Sequence, residues 1–225
     1  MVDETMEVRA RLVPRRIVRN VSEETLRADL EKYRLKALEL GASDAAIISA
    51  RDVVVDERVR LKCAFPRCHL YGESPNCPPY TPPPDEMRRA LAKYEYAIVF
   101  KHNVTPVSDF ADKKLWHQAH MAHQGRTDEV VSKIEALAFN DGHYFAVGFG
   151  AGGCKTALCR GLTCQFLDSG RCRFPLKSRP SMEGVGIDVF DLVAKMGWEV
   201  YPLTHEEVGA SDVRCAVSVG IVFVR

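Results

Sequence analysis

The chain lacks the features that would place it in a membrane, on a secretory route or against nucleic acid. No apolar run in its 225 residues approaches the ~20 needed to cross a bilayer. Its opening stretch, MVDETMEVRARLVPRRIV, has neither the apolar core nor the small-residue cleavage site of a secretory signal, so a cytosolic protein without a membrane partner is expected. A net charge of +1 offers no general attraction for an acidic polymer, and no nucleic-acid partner is expected. The local excess of Arg9, Arg11, Arg15, Arg16 and Arg19 reads as a solvated or partner-covering basic arm over residues 1–21. No repeat occurs at the periods of solenoids or propellers. Gly150-Ala151-Gly152-Gly153 is separated from Lys155-Thr156 by Cys154, so it lacks the Gly-Lys-Ser/Thr of a P-loop, and it has no G-x-G-x-x-G spacing, which gives nucleotide binding little support.

What remains is a chain able to bury a core without disulfides, since 46% of its residues are hydrophobic and 27% charged. One domain over residues 22–225 is expected. Its first element is a helix from about Ser22 to Leu40, with Ser22 as N-cap, Glu23 and Glu24 in the first turn and Gly41 beyond the end. Ala45–Ser49 reads as a buried strand, and Val53–Val55 and Val59–Leu61 as further strand candidates. Asp85 is placed to cap a helix through Lys93, with a strand at Tyr96–Phe100. Helical sequence from Asp109 to Asn140 carries a break point at Gly125. Tyr144–Phe149 reads as a strand, Val189–Met196 as a helix capped by Asp188, and Val217–Val224 as a strand. Helices alternating with short apolar strands indicate a single-domain α/β sandwich, carrying two cysteine-rich metal-binding loops.

Seven of the eight cysteines fall in two groups. Cys63, Cys68 and Cys77 read C-x4-C-x8-C-P-P; Cys154, Cys159, Cys164 and Cys172 read C-x4-C-x4-C-x7-C-x-x-P. In a reducing compartment such clusters point to metal rather than disulfides. Structural zinc usually takes two C-x2-C knuckles, and neither group contains one. Iron–sulfur cubanes accept wider loops and often carry proline after a ligand, as Pro78, Pro79 and Pro175 stand here. The spacing therefore favours one or two [4Fe-4S] clusters, with zinc as the alternative. The second group can close a site by itself. The first leaves a position for Cys215, His69 or a substrate, although Cys215 also reads as a buried strand cysteine.

These residues carry a resemblance. Leu35-Lys36-Ala37 through Leu40-Gly41-Ala42, then Cys63, Cys68, Tyr71-Gly72, Cys77-Pro78-Pro79, Cys172-Arg173-Phe174-Pro175, Arg179-Pro180-Ser181-Met182-Glu183 and Gly186-Ile187-Asp188-Val189 resemble the predicted metal-binding proteins of domain-of-unknown-function family 2284. The likeness runs from about Ala28 onward. It implies a cytosolic bacterial or archaeal protein, often anaerobic, with a bound metal taken to be iron–sulfur and no settled reaction. The family packs its second group as C-x2-C-x2-C, whereas Cys154, Cys159 and Cys164 are spaced by four.

His117, His120 and His123 share one side of a helix, but the outer pair lie ~9 Å apart along the axis, too far for one ion without a break at Gly125; they read as a solvated polar face, with a second metal or proton-relay site as the alternative. Ser181 is expected to cap a turn holding Glu183; the sharper alternative has Arg179 tuning a cluster and Glu183 moving protons. Tyr71 and Tyr80 read as packing covers. Three functions follow. The first is an iron–sulfur protein passing single electrons to a redox partner protein. The second is an enzyme whose three-cysteine cluster keeps an open iron, and the third a zinc-stabilised interaction module.

Overall fold

The computed structural model describes residues 13–112, 116–203 and 209–225, with the backbone alone at 116 and 117. Arg9 and Arg11 of the expected arm lie outside the described residues. Helix α1 spans Glu23–Glu39, and Ser22 caps it by accepting the Thr25 N–H at 3.1 Å. Strand β1 (Asp44–Ser49) follows. Val55 makes only an isolated antiparallel bridge to Ile187, and Val59–Leu61 lies inside helix α2, Glu57–Ala64. There Asp56 accepts the Arg58 N–H and starts a helix that overrides the strand preference of Val59. Helix α3 is Pro84–Leu91; Pro83 is its N-cap and Pro84 fills the first turn, so Asp85 sits inside the helix rather than capping it.

Strand β2 (Tyr96–Asn103) leads through α4 (Ser108–Ala111) to the long helix α5, Trp116–Asn140. Gly125 does not break α5. Strand β3 is only Val147–Phe149, with Tyr144 and Phe145 exposed before it. Short helices α6 (Cys154–Ala157) and α7 (Gln165–Ser169) carry the second cysteine group, α8 is Val189–Lys195 with Asp188 as its cap, and β4 is Val217–Val224. Among the described residues no helix is long and apolar enough to cross a membrane.

The four strands form one antiparallel sheet in the order β1-β2-β4-β3, registered by Ile47 opposite Ile98, Val99 opposite Ile221 and Gly148 opposite Val222. Alternate residues face opposite sides. Ile98, Phe100, Val222 and Val224 join Leu30 and Tyr33 of α1 and Val131 and Ile134 of α5. Val99, Ile221 and Phe223 join Met87 of α3 and Leu192 and Val193 of α8. Helices on both faces explain why β2 and β4 read as continuous apolar runs. The long helix lies tight on the sheet: a Cβ at Gly220 would stand 2.5 Å from Phe100 Cζ and 2.8 Å from Val131 Cγ2.

Among the described residues ahead of α1, Arg15 ties the chain to the helix layer. Arg15 makes paired bonds of 2.6 and 2.9 Å to Asp29, which also meets His143 Nε2 at 3.0 Å. Beside it Asp141 accepts from Lys32 at 2.7 Å and from the Tyr33 hydroxyl at 3.0 Å.

Candidate metal centre

Cys63 occupies the last turn of α2. The chain then doubles back, with the Cys68 N–H on the Cys63 carbonyl at 2.9 Å and the Cys77 N–H on the Ser74 carbonyl at 3.2 Å. Prolines strip backbone donors from the segment that follows, so its carbonyls need donors from elsewhere. Arg60 supplies them: Nη1 reaches Pro82 O at 2.9 Å, and Nη2 reaches Thr81 O at 3.1 Å and Pro79 O at 3.3 Å. Thr81 Oγ1 donates to Gly184 O at 2.6 Å, which brings the Glu183 turn alongside.

Cys154 opens α6 directly after Gly153. The Cys159 N–H reaches the Cys154 carbonyl at 3.3 Å, Cys164 stands at the N-cap of α7, and the Phe174 N–H points at Cys172 Sγ, 3.3 Å away. Arg173 ties the segment by donating to Thr163 O at 2.7 Å. All four thiols line one tight cleft of about 10 Å³.

The two segments are stapled to each other. Asn76 donates to Ser178 Oγ at 2.5 Å and to Cys154 Sγ at 3.5 Å, and Lys155 bonds Glu73. Gly152 adopts the left-handed conformation, φ +66°, and a Cβ there would meet Gln124 Nε2 at 2.1 Å. A Cβ on Gly153 would stand 2.4 Å from Leu70 Cδ1 and 3.7 Å from Cys77 Sγ. The glycines thus bring backbone close beneath the thiols.

Cys63, Cys68 and Cys77 line a different space, a cavity of about 440 Å³. Its lining combines these thiols with Gln124, Gly152, Gly153 and Glu183 and with the apolar Phe110, Met182, Val189, Phe190, Val193, Val200 and Val217. Burial pushes the Cys77 thiol up to about 11, with the neighbouring Cys154, Cys68 and Cys63 adding to the shift. Burial also raises Cys63, helped by Cys68 and Glu183. Glu183 keeps accessible surface yet is surrounded by protein, because it projects into the cavity. That burial raises its carboxyl despite the hydrogen bond from Ser181. Below the glycine turn, burial pushes Asp128 up to about 8, although it accepts the Ala151 N–H.

Several expectations change. Cys215 is half-buried ahead of β4 and donates to Glu199 O at 3.3 Å; neither it nor His69 lines the cavity. The histidines are not a solvated face: His123 is buried against Asp109 at 2.9 Å, and His120 stacks on Phe110 at 3.7 Å and lines the cavity. The side chain of His117 is outside the described residues. Ser181 does cap its turn, accepting the Gly184 N–H at 3.0 Å. Arg179 forms a paired bridge to Glu135 and does not line the cavity. Tyr71 lines the cavity, whereas Tyr80 is exposed. Gln124, Asn76 and Arg60 carried no sequence signal, because each acts through a contact made only on folding.

Among the described residues no three His, Cys, Asp or Glu side chains close on a single ion. All eight cysteines are free, and seven thiols in two groups, with Cys77 against Gly153, are a donor set suited to a soft metal. No curated protein and no solved structure matches the chain. The family model described as "predicted metal-binding protein" matches residues 46–222, starting later than the Ala28 expected from the sequence. With most of its length matched, the chain belongs to this family of predicted metal-binding proteins, domain-of-unknown-function family 2284.

Proposed function

We propose that the chain is an iron–sulfur redox protein in which the two cysteine groups hold separate clusters and the three-cysteine group serves a substrate. Cys154, Cys159, Cys164 and Cys172 would hold one cluster at the tight cleft, and Cys63, Cys68 and Cys77 the other. When bound, such groups supply single-electron transfer and, at an iron with only three protein ligands among four, a coordination position. The observation that carries the reading is that three thiols end on a cavity of about 440 Å³ which neither Cys215 nor His69 lines.

Thiols sharing one tetrahedral zinc stand ~3.8 Å apart, as Zn–S bonds of ~2.3 Å dictate. Neither cysteine group contains the C-x2-C knuckle that sets two thiols so close, and their wider loops suit a cubane better. The chain's own residues then have distinct tasks. Leu70, Phe110 and Met182 exclude water, Gln124 offers an amide beside the glycine turn, and Glu183 holds a proton on its carboxyl to higher pH than an exposed glutamate. A cavity ending on the thiols favours this arrangement over a carrier that meets only a redox protein.

The test is anaerobic purification followed by iron, sulfide and zinc analysis and EPR after dithionite. Brown protein with iron and labile sulfide, and a reduced-state signal altered by a small ligand such as cyanide, is expected. Colourless protein with stoichiometric zinc would sink the proposal; a signal indifferent to ligands would reduce it to electron carriage.

A further inference from the structure

The large cavity has a charge character that narrows what it accepts. Among its described lining residues there is no lysine and no arginine. The ionisable groups among them are Glu183, His120, Tyr71, Tyr201 and the three thiols, so an anionic ligand meets no fixed positive charge from the described residues and, once metal is held, three thiolates. Described cations around it make other contacts: Arg179 with Glu135, Lys155 with Glu73, Arg60 with the proline carbonyls, Arg214 with Tyr201 and Glu199, and Arg67 over the Tyr71 ring. This composition disfavours phosphates, nucleotides and carboxylates, which depend on such charge.

Val189, Phe190 and Val193 of α8 and Val217 of β4 make much of the lining apolar. Gln124 lies beside Gly152, Gly153 lies beside Cys77, and Glu183 acts on Cys63, so these polar groups gather with the thiols. His120 is stacked flat on Phe110, which presents a flat wall between them. Small-molecule clefts of ~300–1,000 Å³ use this pattern, an apolar lining with few convergent polar groups.

We infer that the cavity binds an uncharged, largely apolar molecule of one or two rings, whose single polar group, a carbonyl-type acceptor, lies by Gln124 and Glu183 against the cysteine triad. The placement of the polar group rests on the metal-site reading above; the neutral, apolar character of the ligand does not.

The probe is N-phenyl-1-naphthylamine, compared with 8-anilinonaphthalene-1-sulfonate, the same skeleton bearing one sulfonate. Fluorescence titration of the anaerobically purified full chain should give saturable binding of one neutral molecule per chain, at least tenfold tighter than the sulfonate. Val189→Trp and Val200→Trp, each adding bulk to the apolar lining, should abolish it. In the unmodified chain, amide exchange should slow in α8, the start of β4 and Ala151–Gly153 when the neutral compound binds. Equal or tighter sulfonate binding, no saturable binding, or protection confined to other segments would overturn the inference whether or not the tryptophan variants fold. Iron and sulfide measured on the same samples separate the two proposals. Iron-free protein that binds the neutral probe defeats the cluster reading alone, and iron-loaded protein that ignores it defeats the cavity inference alone.

Discussion

Asn76 Nδ2 stands 3.5 Å from Cys154 Sγ, so a side chain of the first cysteine segment donates to a thiol of the second across 78 positions of sequence. With the Lys155–Glu73 bridge it makes the two cysteine groups one mechanical unit. Asn76→Ala should cost about 1 kcal/mol of stability. Asn76→Asp, which sets a carboxylate against the thiolate, should lose metal faster under a chelator than Asn76→Ala does. Equal loss from the two variants would mean that the contact carries no electrostatic weight.

The separation of the thiols into a cleft and a cavity makes a stoichiometric prediction. Cys68→Ser and Cys164→Ser should each remove about half of the bound iron, and Cys215→Ser none. Complete loss from either single variant would show one shared site.

Arg60 satisfies three carbonyls that the proline segment leaves without backbone donors. Arg60→Ala should destabilise the fold by about 1–3 kcal/mol and shorten the half-life of bound metal. Arg60→Lys should rescue little, since a point charge cannot span three carbonyls as a planar fork does. Urea unfolding and chelator-challenge kinetics read the two effects.

Asp128 provides a pH signature away from the thiols. Burial raises its folded carboxyl to about 8, with Arg179 the one cation opposing the shift. The folded state therefore holds this proton more tightly than the unfolded chain, whose carboxyl titrates near ~3.9. Its contribution is complete below that value and is lost as pH rises towards 8. Unfolding free energy measured between pH 5 and pH 8 should fall across the range, and Asp128→Asn should flatten the fall.

Asp29 has the opposite sign. Burial pushes its carboxyl up, but the bonds from Arg15 and His143 outweigh it and leave the group below the usual range. Its stabilisation is present above ~4 and lost as pH drops further. Asp29→Ala, which strands buried His143 and frees Arg15, should cost about 3–5 kcal/mol in urea unfolding.

The strongest elements were legible in the sequence because local signals agreed. Ser22 with Glu23 and Glu24 marked α1, and the uninterrupted apolar run Val217–Val224 marked β4. The cysteine spacing marked two groups, whose thiols line the cleft and the cavity, but spacing could not show that Cys154 of one group neighbours Cys77 of the other. Val59–Leu61 misled because a cap at Asp56 decides the helix, and a cap weighs little against the apolar-polar-apolar alternation Val59-Arg60-Leu61 read in isolation. The histidines misled for a different reason. Their periodicity fixes one face of α5 but not what covers it, and α4 supplies Asp109 and Phe110 as the cover. The cavity itself was invisible, since its walls come from segments between Cys63 and Val219 that meet only in the folded chain.

Strand β4 lies between β2 and β3, yet it comes later in the chain than all seven clustered cysteines. At the ~5–20 residues per second of synthesis, every thiol emerges from the ribosome before the strand that organises the sheet. Until then β3 has no neighbour to pair with, and α5 has no sheet centre to rest on. A nascent chain stalled ahead of Val217 would therefore present free thiols and unburied core at the same moment.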